Sequence, residues 1–159
     1  MTDTARWPQM VGIGSTVYDT LMVIDRFPTE DTKLQGIETK VQGGGPCATA
    51  LAAARKLGIS AAYMGTIGDD PFGTFMMADF ARWGIDTHAV RVVPGGVSFH
   101  SVVLLNRASS SRTCIWNKGT VPPPVCIIRW PDGTDADALC TDFRQTTAPT
   151  PGAPNLDIR

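Results

Sequence analysis

The sequence predicts an α/β fold built on parallel strands. Three observations carry that reading. Strand-type and helix-type apolar patterns alternate from residue 10 to residue 93, which argues for βαβ connections. A glycine-rich turn, Gly43-Gly44-Gly45, opens the first helical pattern. A capping aspartate followed by proline, Asp70-Pro71, opens the second, and Gly84 closes it.

The first strand is expected over Met10 to Ser15, with Val11 and Ile13 apolar and Gly12 and Gly14 small enough for close packing. A second apolar run, Thr20 to Ile24, ends before Pro28, where proline breaks the pattern. Residues 29–42 alternate loosely and predict one or two exposed strands. Pro46 suits the first helical position, and apolar residues at 47, 50, 51, 54 and 57 mark one helix face before Gly58 stops it. Ile59 to Ile67 reads as a buried strand. In the second helix Phe72, Met76, Phe80 and Trp83 share a face. His88 to Val93 is a further strand, Pro94-Gly95-Gly96 a turn, and Val97 to Leu105 and Thr113 to Trp116 flank a polar connection, Asn106 to Arg112.

From Val121 the composition shifts. Residues 121–159 hold seven of the twelve prolines and two of the sixteen glycines, so their pattern is unlike that of the glycine-punctuated part before them. Cys126 to Trp130 is a brief apolar run, and no convincing helix or strand follows. Residues 121–159 are read as a Pro-rich tail, disordered or produced by a frameshift.

Composition excludes several classes. With 159 residues, 43% apolar and 18% charged, the chain is globular and of single-domain size. A net charge of −1 argues against nucleic-acid binding and against a polybasic membrane contact. No apolar run reaches the roughly 20 residues that span a bilayer, and Met1 to Met10 lacks the apolar region of a secretory signal. Cys47, Cys114, Cys126 and Cys140 are spaced by 67, 12 and 14 residues, which is no zinc or redox pattern. Reduced thiols and a cytoplasmic location are expected. His88 and His100 lack ligand-type neighbours apart from Asp86, and no metal site is expected.

The Gly43-Gly44-Gly45 turn is the most informative chemical feature. Such a turn ahead of a helix can present backbone N–H groups to hydroxyls or anions. It also reads as a plain tight turn, and spacing alone leaves both open. Two phosphate motifs fail. Gly68 to Thr74 lacks the lysine of a P-loop and carries two acids. Gly12 to Val17 lacks the third glycine of a dinucleotide fingerprint. Asp19, just after the first strand, stands where an α/β sheet presents ligand-binding groups, and a carboxylate there can accept from two sugar hydroxyls. Without context an exposed turn aspartate is the simpler account.

The stretch Gly43 to Gly73, G-G-G-P-C-A-T-A-L-A-A-A-R-K-L-G-I-S-A-A-Y-M-G-T-I-G-D-D-P-F-G, resembles the N-terminal signature of the ribokinase (PfkB) family of carbohydrate kinases. Gly14, Asp19 and Gly84-Ile85-Asp86 extend the resemblance to roughly residues 10–120. The resemblance implies a ribokinase-like α/β sandwich, here incomplete, with a small β-sheet lid formed from residues of about 20–42 and 97–117. It implies that Asp19 binds sugar hydroxyls and that the backbone of Gly43 and Gly44 lines the same pocket. It implies phosphoryl transfer from ATP to a sugar hydroxyl with Mg²⁺ on the phosphates. It also implies dimer contacts through the lid strands, with a second copy or with a full-length relative. Asp69 and Asp70 belong to the signature and read as structural, Asp70 as a helix cap.

Two departures matter. Many members carry an asparagine where this chain has Ala48, so one sugar contact is missing. The family's second half carries an N-x-x-E motif and a G-A-G-D motif, the latter with the catalytic aspartate, and neither string occurs here. Residues 1–120 are therefore expected to be the N-terminal part of such a kinase, truncated and inactive alone, with no catalytic residue of its own. The alternative is a non-catalytic sugar-binding protein or one that interacts through its lid. A half-sheet would also expose apolar surface and so associate or dissolve poorly.

Overall fold

In the computed structural model, which describes residues 8–123 and the strand backbones of 126–129 and 135–138, the chain builds two larger sheets that part at Gly14-Ser15-Thr16 and a separate two-stranded one. The first sheet holds β1 (Met10–Ile13), β4 (Ala61–Gly68) and β5 (Val90–Val93) in the order β1-β4-β5, all parallel. Helices α1 (Pro46–Lys56) and α2 (Pro71–Trp83) make the crossovers. The second sheet holds β2 (Val17–Ile24), β3 (Glu38–Gly44), β6 (His100–Asn106) and β7 (Ser111–Asn117) in the order β3-β2-β6-β7. In it β2 pairs with β6 in parallel, while β3 and β7 run antiparallel to their neighbours.

The core lies where the helices meet the first sheet. Ala48 and Leu51 of α1, Ala61 and Tyr63 of β4, Phe80 of α2 and Ile85 are buried together, and the Tyr63 and Phe80 rings stack 4.7 Å apart. Gly12 permits this packing, because a Cβ there would fall 2.7 Å from both Cys47 Sγ and a Leu51 methyl. The Tyr63 hydroxyl donates to the Gly14 carbonyl at 2.7 Å and fixes the point where the chain leaves β1 for β2.

Helix α2 follows its sequence signals. Asp70 caps it by accepting from the Gly73 N–H at 2.8 Å, Pro71 opens it, and Gly84 closes it at φ 66°. The buried side of α1 is rotated from the expected one. Ala48, Leu51 and Ala54 face the core, Ala50 is exposed, and Leu57 is 79% exposed. The run of small alanines spreads apolar character around the helix, so the apolar spacing does not single out one face.

Strand β2 begins at Val17, three residues before the expected start, because Tyr18 and Asp19 are held by pairing on both sides. Of residues 29–42, only the part from Glu38 on pairs as strand, and the connection between β6 and β7 shortens to residues 107–110. Beyond Val121, Cys126–Arg129 (β8) and Asp135–Ala138 (β9) pair antiparallel, a hairpin absent from the sequence reading. The second strand of that hairpin, Asp-Ala-Asp-Ala, has no β-branched or aromatic residue to signal it. The unstructured stretch expected from Thr146 to Arg159, like Cys140, lies outside the described residues.

Candidate sugar-binding site

The candidate site lies across the second sheet. Asp19 is the third residue of β2, within the sheet and not in a turn after the first strand. Its register partners are Gln42 on β3 and Ser101 on β6, and Ser101 pairs in turn with Trp116 on β7. Side chains at paired positions share a face. Gln42, Asp19, Ser101 and Trp116 therefore form one row on one face. The buried Ser101 hydroxyl donates to Asp19 Oδ1 at 2.5 Å. This bond leaves the carboxylate with acceptor capacity for hydroxyl donors, since an ionised carboxylate has about four acceptor positions.

Gly44 shapes the same face. A Cβ at Gly44 would meet Asp19 Oδ2 and come within 2.9 Å of Asp19 Cγ, so the carboxylate occupies the space that a side chain would take. Gly43 behaves differently. A Cβ there would meet the Asp79 carboxylate of α2, on the opposite face, with Cγ at 3.1 Å. Only Gly45 of the three makes the turn, at φ 90°. A Cβ at Gly45 would sit 2.7 Å from the Ser15 carbonyl oxygen. Sequence spacing had joined the three glycines in one turn. The structure divides them into two close approaches and one left-handed residue.

The opposite face is covered near the junction. Tyr18 contacts Phe72 and Phe75 of α2 at 4.9 and 5.0 Å, and His100, its register partner, stacks on Phe72 at 4.3 Å. These contacts press α2 against β2 and β6 and so steady Asp19 and Ser101 on the other side. Asp70 adds a second clamp. Beyond capping α2, it accepts from the Ser98 N–H at 2.9 Å and the Ser98 hydroxyl at 2.7 Å. Gly68 N–H donates to the same hydroxyl at 2.8 Å. The end of β4, the start of α2 and the entry to β6 meet at this network. Partial burial pushes the Asp70 carboxyl up. The Ser98 hydroxyl, then the Ser98 and Gly73 N–H groups, outweigh it and hold the group below the usual carboxylate value.

Ser101 and Ser98 were not singled out in the sequence. Both lie in an apolar run, Val97 to Leu105, where two serines at i and i+3 carry no chemical signature of their own. Register with Asp19 and contact with Asp70 gives them their roles.

Two cavities flank the site. One of about 350 Å³ lies between α1 and α2, lined by Thr49, Lys56, Asp79 and Arg82 among others. One of about 40 Å³ lies at the junction of the sheets, lined by Gly14, Ser15, Tyr63 and Phe99. Asp19 lines neither. Gln42, at the β3 end of the candidate row, and Gly43 do line the larger cleft, so the row adjoins it. Among the described residues no three His, Cys, Asp or Glu side chains converge to hold a metal ion. Asp69 is engaged by the Gly95 N–H at 2.8 Å and Asp70 by Ser98 and Gly73. Both carboxylates are thus engaged within the fold, at the junction of β4, α2 and the entry to β6.

The pfkB family carbohydrate kinase model matches residues 8–120, most of the chain. The chain belongs to the pfkB family of carbohydrate kinases. This pfkB chain is 29% identical to the ketohexokinase of Mus musculus over 114 residues, 72% of this chain and 38% of that protein. It is 25% identical to the ribokinase of Dictyostelium discoideum over 103 residues, 65% of this chain and 32% of that one. The ribokinase of Arabidopsis thaliana, solved with ribose and ATP, superposes with a TM-score of 0.61 at 24% identity, over 72% of this chain and 37% of that chain. The fold is therefore the ribokinase fold in part, and the chain spans less than two fifths of the length of these relatives. No helix among the described residues is long and apolar enough to cross a membrane.

Proposed function

We propose that this chain is the sugar-binding part of an ATP-dependent carbohydrate kinase, with Asp19 as the principal hydroxyl acceptor and the backbone around Gly43 and Gly44 beside it. The observation that carries this reading is the Asp19 carboxylate, oriented by Ser101 and given its space by Gly44, on an open sheet face. A carboxylate held in this way binds two neighbouring hydroxyls of a polyol with little reorganisation. Ser101 fixes its rotamer, and α2 braces the sheet behind it.

Phosphoryl transfer needs positioned charge around the transferred group. ATP and Mg²⁺ belong to the proposed whole reaction, in which the part of this chain is to hold the sugar. The chain by itself is proposed to bind sugar without transferring phosphate, and its nucleotide half would come from sequence beyond the matched 113 residues or from another chain. A cytoplasmic setting, in which an exposed thiol such as that of Cys114 stays reduced, belongs to the same proposal.

A second contact follows from the sheet's other face. Val41, Thr20, Val102 and Ile115 form a register row there, and Val41, Val102 and Ile115 are exposed. We infer that this row is where the lid strands meet a second copy or a full-length relative.

A phosphotransfer assay over a sugar panel with Mg²⁺ and ATP tests the catalytic half of the proposal. The expected result is no turnover by the 159-residue chain. Clear turnover would falsify the division between binding here and catalysis elsewhere.

A further inference from the structure

Trp116 stands at the end of the row that begins at Gln42 and runs through Asp19 and Ser101. Its side chain is on the Asp19 face by register, and its ring contacts that of Phe99 at 5.8 Å. Phe99, two residues before Ser101, lines the small cavity at the sheet junction together with Gly14, Ser15 and Tyr63. Phe99 and Trp116 thus form an aromatic wall beside the buried Ser101. Trp116 nevertheless remains 63% exposed. Asp19 and Trp116 are two strands apart, about 10 Å between backbones. A single small hydroxyl, that of Ser101, lies between them.

We propose that Trp116 is a stacking platform for the ring of a cyclic sugar whose hydroxyls Asp19 accepts. One face of a sugar ring presents C–H groups with slight positive charge. The face of an indole carries negative charge, and the two surfaces match in shape and sign. Asp19 takes the hydroxyl edge, Trp116 takes the C–H face, and the small Ser101 leaves room for the ring between them. An open-chain polyol offers Asp19 the same hydroxyls but no flat C–H face. The platform therefore makes the site selective for cyclic sugars over acyclic polyols. The exposed row with Ile115 faces the other way, so Trp116 is not part of the proposed association surface.

This inference rests on the reading of the Asp19 face as a sugar site, and the test separates the two. D-ribose and D-fructose, with ribitol and sorbitol as open-chain counterparts, are titrated calorimetrically into the full chain and into its W116A, W116F and D19N variants. The expected result is that W116A weakens the cyclic sugars about tenfold and removes their advantage over the polyols, while W116F stays within about threefold. Circular dichroism of each variant reports that the fold is kept. Wild-type binding that is lost in D19N but unchanged in W116A overturns the platform and leaves the sugar site standing. An equal loss of sugars and polyols in W116A also overturns it, since a merely structural role would have that effect. No binding of either sugar to the wild-type chain overturns both readings.

Discussion

Ser101 donates its hydroxyl to Asp19 across the parallel pair of β2 and β6, 82 residues away in sequence. The bond joins two strands that belong to different stretches of chain and that only the folded sheet brings together. It turns a surface carboxylate into an oriented one. Removing the donor is expected to cost about 1 kcal/mol of stability and to weaken sugar binding about fivefold, because Asp19 then samples rotamers that miss the sugar. Titration of Ser101→Ala with D-ribose and D-fructose checks this, and unchanged affinity would show that Asp19 needs no positioning.

The two strand glycines are expected to respond differently to alanine. Gly44→Ala places a methyl where the Asp19 carboxylate lies and drives it off Ser101, so sugar binding should fall by tenfold or more. Gly43→Ala meets the Asp79 carboxylate instead, on the other face. Asp79, largely buried and paired with the exposed Arg82, must shift to admit that methyl, which disturbs the α2 side and leaves the Asp19 carboxylate in place. Binding isotherms for the two variants should separate by at least the Gly44→Ala loss. Equal losses would contradict the assignment of opposite faces.

Gly45 is where the backbone itself requires glycine. At φ 90°, with the Ser15 carbonyl oxygen 2.7 Å from any added Cβ, alanine is strained and obstructed by backbone that cannot swing aside. A loss of about 1–3 kcal/mol is expected for Gly45→Ala in urea unfolding. A neutral effect would mean that the turn into α1 is looser than the structure shows.

Asp70 links stability to pH. Its carboxyl is held below the ordinary value in the folded chain, so the folded state favours the ionised form. That contribution is fully present above the unfolded value, about pH 4, and is lost as pH falls through the lowered folded value. Unfolding midpoints of wild type and Asp70→Asn, measured from pH 7 to pH 3, should converge at the acid end. At pH 7 Asp70→Ala is expected to cost about 2–3 kcal/mol, since three donors lose their acceptor. Parallel pH curves for wild type and Asp70→Asn would rule out this role.

The exposed row on the outer face predicts association. Ile115→Lys places a charge on the most exposed residue of the row, at its edge-strand end, and is expected to shift the chain toward monomer in sedimentation velocity, with sugar affinity unchanged. Sedimentation that does not respond to this change would remove the lid face as an interface.

Helix α2 could be read from its letters, because aspartate, proline and glycine act locally at its ends. The nearness of Asp19 to Gly44 had no local signal, since the two are far apart in sequence and the pairing of β2 with β3 brings them together. The register row could not be read in advance. Whether Ser101 or its neighbour faces Asp19 depends on a one-residue choice of pairing, and a slip by one would turn both to opposite faces. Helix α1 misled for a different reason. Its alanines are apolar but small, so their spacing carries little information about which side is buried, and Leu57 sits exposed beyond the last turn. The strand β9 lacks the residue types that mark strands and shows only as a pairing partner of β8.

The Asp19 face of this chain is proposed to bind sugar without the rest of a kinase. Its most direct measurement is calorimetric titration of the chain and its Asp19→Asn variant with D-ribose and D-fructose, in the absence of nucleotide. Saturable binding of at least one sugar by wild type, weakened tenfold or more in Asp19→Asn with the fold intact by circular dichroism, is the result predicted. Binding that survives Asp19→Asn unchanged, or no binding by wild type, would contradict the account.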